Sequence, residues 1–209
     1  MKIYAVADIH GAQHRMNIIQ KNIELYHPDL VLICGDITQF GPGEQAQSFL
    51  DSLFVKTVAI PGNIDTADVY EAIQKSSALS LHRNHCIIKG YPFIGIGGDL
   101  GDCLQDLTIL SNNSTKNIQE CIDASTIVLT HVPPYGLQDK TCIGQHIGNK
   151  ALRFLVDTKK PCLVVCGHVH ENPGFTKYKT TVVVNCSMGK RTQGALITIN
   201  KDIEVQILE

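Results

Sequence analysis

Seven residues of types that bind metal ions stand just after five apolar runs of this chain. Asp8 and His10 follow KIYAVA (2–7), Asp36 follows DLVLIC (29–34), and Asn63 follows KTVAI (56–60) through Pro61-Gly62. His131 ends STIVLT (125–130), and His168 and His170 follow PCLVVC (161–166). Side chains two apart on an extended segment point the same way, so His168 and His170 can face one site. Carboxylate, imidazole and amide oxygen without thiolate suit Mn²⁺, Fe or Zn²⁺ better than Ca²⁺ or Mg²⁺. The set holds enough ligands for two ions if one carboxylate bridges them.

Each residue also has a plainer use. Asp8 or Asp36 could cap the helix that follows it. Asn63 beside Gly62 could serve a turn, and His131 could simply end a strand. Caps and turns, however, have no use for three histidines at strand ends.

The elements that must position these residues are legible from the pattern. Met16, Ile19, Ile23 and Tyr26 recur at helical spacing, and helices are also expected at 43–53, 66–76, 114–123 and 151–158. Their alternation with apolar runs in the first half predicts a parallel sheet with right-handed crossovers. In open α/β sheets, sites form outside the carboxyl ends of the strands, where all seven residues fall. Runs 85–90 and 92–98 predict a hairpin, and 180–186, 194–199 and 203–208 predict an antiparallel meander. Residues 99–113 are poorly patterned, and Asp99 and Asp102 receive no role. The long loop after His131 is expected to be functional or mobile.

Composition bounds the function. At 209 residues the chain is expected to form one domain over 1–209. A net charge of −2 with no basic stripe argues against long nucleic-acid substrates. No apolar stretch reaches bilayer length, so no membrane partner is expected. A strand is read from Lys2 onward, so no signal peptide is expected before the fold. The eight cysteines form no CxxC pair; Cys34, Cys162, Cys166 and Cys186 lie in or at the ends of apolar runs and read as small buried thiols in a reducing compartment, so a cytoplasmic location is expected.

The ordered motifs Asp8-Ile9-His10, Gly35-Asp36, Gly62-Asn63-Ile64-Asp65, His131 and Gly167-His168-Val169-His170 resemble the calcineurin-like metallophosphoesterase family. The resemblance runs from residue 3 to about residue 190. It implies an α/β fold, a two-sheet β-sandwich flanked by helices, with a dinuclear metal site at one edge. It also implies one divalent ion on Asp8, His10, Asp36 and His170 and a second on Asp36, Asn63, His131 and His168, with Asp36 bridging. The reaction implied is phosphoester hydrolysis by a metal-bridging hydroxide attacking phosphorus in line.

One position departs from the common pattern G-N-H-D/E: Ile64 stands where a histidine usually serves the leaving group. The chain thus resembles the branch with another residue there, which includes phosphodiesterases reading G-N-C-D. A diesterase of small phosphorylated substrates, phosphodiester or nucleotide, is expected, with faster turnover of activated esters. His146 resembles a histidine of the same loop in some relatives and is the candidate catalytic acid. A packing histidine before a helix capped by Asn149 is its plainer role. Asp65 is expected to cap the helix near Thr66, and His14, His27, His82, His85, Lys190 and Arg191 are expected at the surface. The alternative function is a scaffold that keeps the fold, as in the phosphoesterase-like retromer subunit. Specificity is expected from 99–123 and 132–149. Oligomerisation through the 85–98 hairpin edge is left open.

Overall fold

A computed structural model describes residues 1–98, 108–111 and 114–209. Asp99, Asp102 and most of the poorly patterned stretch lie outside the described residues.

The chain runs β1 (Lys2–Val6), α1 (Gln13–Tyr26), β2 (Leu30–Cys34), α2 (Gly43–Asp51), β3 (Thr57–Ile60), α3 (Ala67–Lys75) and β4 (Leu79–Ser80). It continues through β5 (Asn84–Ile88), β6 (Tyr91–Ile96), β7 (Thr108–Ser111), β8 (Ser114–Asn117) and β9 (Ile127–Thr130). Then follow α4 (Lys150–Lys159), β10 (Leu163–Cys166), β11 (Gly174–Tyr178), β12 (Thr181–Asn185), β13 (Ala195–Ile199) and β14 (Ile203–Ile207).

The strands form two mixed six-stranded sheets, in the orders β14-β13-β1-β2-β3-β4 and β11-β12-β10-β9-β6-β5, beside a β7–β8 pair. β1 to β4 run parallel, as do β6, β9, β10 and β12. The expected architecture of two sheets flanked by helices is present.

Alternation within each strand builds three apolar layers. Ile3, Ala5, Leu32 and Val58 of one sheet meet Phe93, Ile127, Leu129 and Val165 of the other. Tyr4, Val6, Val31 and Ile33 face outward and are covered by Ile19, Phe49, Leu50 and Ile73 of α1, α2 and α3. On the other side Val128 and Val164 pack under Leu152, Leu155 and Val156 of α4. Strands covered on both faces read as unbroken apolar runs, which is why the sequence displays them so clearly.

Three expectations are corrected. Residues 114–123 do not form an α-helix; they hold β8 and a 3₁₀ turn, Ile118–Cys121. The tail is not one meander: β12 lies parallel to β10 in the second sheet, whereas β13 and β14 form a hairpin on the first. The seven candidate ligands do not follow one run of neighbouring strands. They come from β1, β2 and β3 of one sheet and from β9 and β10 of the other.

Candidate metal centre

The seven residues meet at one end of the sandwich. Asp8 is fully buried and Asp36 nearly so, at 0% and 3% exposure. His10 Nε2 lies 3.2 Å from His170 Nε2, and His170 Nε2 lies 3.2 Å from Asp8 Oδ1. His131 Nε2 lies 2.8 Å from Asn63 Oδ1 and 3.4 Å from Asp36 Oδ2. His168 Nδ1 lies 3.1 Å from the same Asn63 oxygen. Two groups of donors within 4.8 Å of one another result, Asp8/His10/His170 and Asp8/Asp36/His131, sharing Asp8.

The backbone is bent to make this possible. Asp8, His10, Asp36 and His168 all have positive φ, at 61°, 53°, 51° and 71°. Side-chain-bearing residues rarely adopt that region, and such strain persists only where the surroundings enforce it. Here they do. The amide of Asp8 donates to the Gly35 carbonyl at 3.0 Å and the amide of His10 to that of Asp36 at 2.9 Å. The His168 amide donates to Asp8 Oδ2 at 3.0 Å. The first two bonds tie the β1 and β2 loops of one sheet together, and the third ties the His168 loop of the other sheet to the Asp8 carboxylate.

The neighbouring glycines are required by close approach. A Cβ on Gly62 would sit 2.0 Å from Asp36 Oδ1, and one on Gly167 would sit 2.3 Å from the Ala7 Cβ.

Tautomers and charges follow from the surroundings. His131 Nδ1–H donates to the Cys34 carbonyl at 2.8 Å, which leaves the Nε2 lone pair for a cation. Burial opposes charge on His131, but Asp36 and Asp8 outweigh it and raise its pKa to about 9. Burial likewise opposes ionisation of Asp8, yet His170 and His131 hold its carboxyl down at about 2. Burial pushes His10 and His168 down, and Asp8 pulls His170 up. His10 Nδ1 is buried with no hydrogen-bond partner. Anionic oxygens packed against imidazole nitrogens, two of them facing each other at 3.2 Å, make a donor set that fits divalent cations.

Several residues that build the site were missed or misjudged in sequence. Asp65 does not cap α3. Its carboxylate accepts from the amides of Ile37 (3.1 Å), Thr38 (3.0 Å) and Gly62 (2.9 Å), clamping the Asp36 loop to the Asn63 loop. The cap position, Thr66, makes no side-chain cap bond. The Ile64 side chain brings no polar group, but its amide donates to Asp36 Oδ1 at 3.1 Å. Arg15 Nη1 donates to the Asp8 carbonyl. Buried Asn185 donates to the Val169 carbonyl at 2.9 Å and so steadies the loop that bears His168 and His170. An asparagine closing the apolar run VVVN was the signal for it.

His146 sits apart from this cluster. Its Nδ1 is 2.6 Å from Asp139 Oδ1, and Asp139 also accepts from the amides of Gly136 and Gly148. Among the described residues no hydrogen bond joins His146 to the seven. The same loop does touch the site's edge, since Gln138 donates to the Asn172 carbonyl and its own carbonyl accepts from Asn185. Asn149 caps α4 as expected, accepting from Leu152 at 2.8 Å. His14 and His27 are exposed, but His82 is half-buried and accepts from the Gly97 amide at 3.0 Å. No helix of the described residues is long and apolar enough to cross a membrane.

The model of one protein family, described as calcineurin-like phosphoesterase, matches residues 1–172, a span that takes in all seven residues. An uncharacterized protein of Methanocaldococcus jannaschii is 27% identical over 202 residues, covering 90% of this chain and 88% of that protein. A protein of Arcobacter nitrofigilis named "Probable glycerophosphodiester phosphodiesterase" is 28% identical over 184 residues, covering 80% of this chain. The match spans 65% of that relative, less than two thirds of its length. Among solved structures, the protein TT1561 of Thermus thermophilus superposes with a TM-score of 0.73 at 17% identity, over 100% of this chain and 99% of that one. At that identity the likeness concerns the fold.

Proposed function

The chain belongs to the calcineurin-like phosphoesterase family, and from that premise we propose that it is a phosphodiesterase acting through two divalent metal ions. The observation that carries this reading is the convergence of buried Asp8 and Asp36 with four imidazoles and one amide oxygen, on strained backbone, across two sheets.

One ion is assigned to Asp8, His10, Asp36 and His170, and the other to Asp36, Asn63, His131 and His168. Mn²⁺, Fe and Zn²⁺ suit this donor set best. Bound there, the two ions would supply Lewis-acid charge for the phosphoryl oxygens and a water made acidic enough to attack.

The chain's own groups do the rest. The Ile64 amide holds the Asp36 carboxylate, Asp65 holds the loop that bears it, and Cys34 fixes the His131 tautomer, so the donors need not reorganise during reaction. Ile64 has no proton to give a leaving group. His146, oriented by Asp139 in the loop after β9, is the proposed acid. A relative named as a phosphodiesterase supports the preference for diesters. One domain over residues 1–209 carries this activity, on a small phosphorylated substrate.

The test is hydrolysis of bis-p-nitrophenyl phosphate beside p-nitrophenyl phosphate. The protein is stripped of metal and then given Mn²⁺, Zn²⁺ or Mg²⁺, with Asp36→Asn as control. Metal-dependent turnover that favours the diester and vanishes in Asp36→Asn supports the reading. Two bound ions without turnover of either ester would replace it with a scaffold.

A further inference from the structure

On one side of the sandwich the first sheet ends at β14 and the second at β11. Between them a cavity of 540 Å³ opens, lined by Lys177 and Val182 of the second sheet and by Ile199 and Ile203 of the first. Phe175 and Lys177 stand opposite Val184 and Val182 in the β11–β12 ladder, so they share the face that those valines turn to the core between the sheets. Ile203, Val205 and Ile207 of β14 pack against the same core from the other sheet. These three are only partly buried and Phe175 is half-exposed, so an apolar seam stays open along this side.

The β14 edge also has an open hydrogen-bonding side. β13 uses the even-numbered residues of the last strand: the Leu208 amide donates to the Gly194 carbonyl at 2.9 Å, and the Asn200 amide donates to the Asp202 carbonyl at 3.0 Å. Hydrogen-bonding direction alternates along an antiparallel ladder, so Ile203, Val205 and Ile207 turn their N–H and C=O groups outward. No strand among the described residues pairs with that side. Exposed edges are normally blunted by lysine, proline, a bulge or shortness. β14 has five residues, Ile-Glu-Val-Gln-Ile, with neither lysine nor proline. The other edges differ: β4 has only two residues, β7 lies beside β5, and β11 begins with a glycine and carries Lys177.

The strand is complementary to itself in reverse. A second β14 laid antiparallel about a two-fold axis at Val205 sets Val205 against Val205 and Ile203 against Ile207. All of these turn their polar backbone groups toward the other strand, so about six backbone hydrogen bonds close. Glu204 then faces Gln206, and just beyond the strand ends exposed Lys201 faces exposed Glu209. No like charges meet, and the one charged pair is of opposite sign. An axis moved to Glu204 would set two carboxylates against each other, and one moved to Gln206 would lose the match of Lys201 with Glu209.

We propose that this open side is an interface with a second copy of the chain, in which two β14 strands join the first sheets of both copies into one and cover the seam of Phe175, Ile203, Val205 and Ile207. The candidate metal ligands follow β1, β2, β3, β9 and β10, none of which is an edge strand. The assembly therefore does not depend on how the reaction is read.

Analytical ultracentrifugation of the whole protein, from micromolar to near-millimolar concentration, should show a monomer–dimer equilibrium. Val205→Lys sets two ammonium groups against each other at the axis and should leave a monomer. Val205 also packs on the core, so charge reversal outside the strand supplies a second test. Lys201→Glu and Glu209→Lys should each weaken the dimer by about tenfold in Kd, and the two together should restore it. Amide hydrogen exchange in the wild type identifies the edge without any substitution. On dilution to the monomer, the amides of Ile203, Val205 and Ile207 should exchange roughly tenfold faster or more, while those of Glu204 and Gln206, held by β13, change little. A protein that stays monomeric throughout would overturn the proposal. So would a dimer that survives Val205→Lys, a double reversal that fails to restore association, or odd-numbered amides indifferent to dilution.

Discussion

His10 Nε2 and His170 Nε2 face each other at 3.2 Å, although 160 positions separate them in the chain. Two neutral imidazoles so placed share at most one proton, and Asp8 Oδ1 lies 3.2 Å from the same His170 nitrogen. A divalent cation satisfies all three donors at once. Adding Mn²⁺ to the stripped protein should therefore raise Tm. At one hundred times the dissociation constant the gain is about 2.7 kcal/mol, or roughly 5–10 °C for a chain of this size. Thermal melts with and without metal check it, and His170→Ala should shrink the shift. A Tm indifferent to every divalent ion would refute the assignment.

Asp65 gives a second expectation. Three amides from two loops share its carboxylate, so Asp65→Ala leaves them without their acceptor. Hydrogen bonds to charged groups contribute about 1.5–3 kcal/mol each, and water can replace part of that at this partly exposed site. A loss of about 2–3 kcal/mol is expected, together with weaker metal binding, because the clamp holds the loop that bears Asp36. Thr66→Ala should cost well under 1 kcal/mol, since Thr66 makes no cap bond. Denaturant melts of the two variants separate a loop clamp from a helix cap. A larger loss in Thr66→Ala would restore the cap.

Gly62 is a test of close packing at the ligands. The methyl of Gly62→Ala would lie 2.0 Å from Asp36 Oδ1 and 2.2 Å from the Asp36 amide. The amide is backbone and cannot swing aside, so the Asp36 loop itself must move. The variant should lose about 1–3 kcal/mol of stability and bind metal at least tenfold more weakly in calorimetric titration. Tight metal binding with unchanged stability would show that the loop yields freely.

The reach of sequence reasoning is visible in these same residues. The seven candidate ligands were legible because each follows an apolar run, and such runs are unbroken where both sheet faces are covered, as at Leu30–Cys34 and Leu163–Cys166. The pairing of strands was not legible in that way. Nothing local to TVVVN says that it joins β10 rather than β13, since both sides of the choice bury the same valines. Residues 114–117 carry too few apolar positions to distinguish a strand from a helix. Asp65 was misjudged because a carboxylate one residue before a helix is usually a cap, and its true partners lie 27 and 28 positions away.

His146 yields a prediction about leaving groups. General acid catalysis contributes about 10²–10⁴ in rate, most where the leaving group is poor. If His146 protonates it, His146→Ala should slow an alkyl diester at least a hundredfold while costing the p-nitrophenyl diester far less. Asp139→Asn should resemble it but also loosen the loop, because Asp139 accepts from Gly136 and Gly148. Rates of both esters in the two variants decide it. Equal rates in wild type and His146→Ala for both esters would leave His146 a packing residue.

His82 supplies a dependence on pH that does not involve the ligand cluster. Burial, with Arg83 in support, lowers its pKa from 6.5 to about 4. Between those values the unfolded chain binds a proton at this position and the folded chain does not. Stability therefore rises with pH across this window, is complete above about 6.5 and is lost as pH falls through about 4. His82→Asn cannot take up that proton in either state, while an acceptor for the Gly97 amide is kept. Unfolding free energies of wild type and variant, measured at intervals from pH 4 to 7, should thus diverge with the wild type the more pH-dependent. Contributions common to both proteins, including those of Asp8 and the other carboxylates, cancel in the difference. Parallel curves would mean that His82 takes up its proton as readily in the folded protein as in the unfolded chain, and that its burial costs the charged ring nothing.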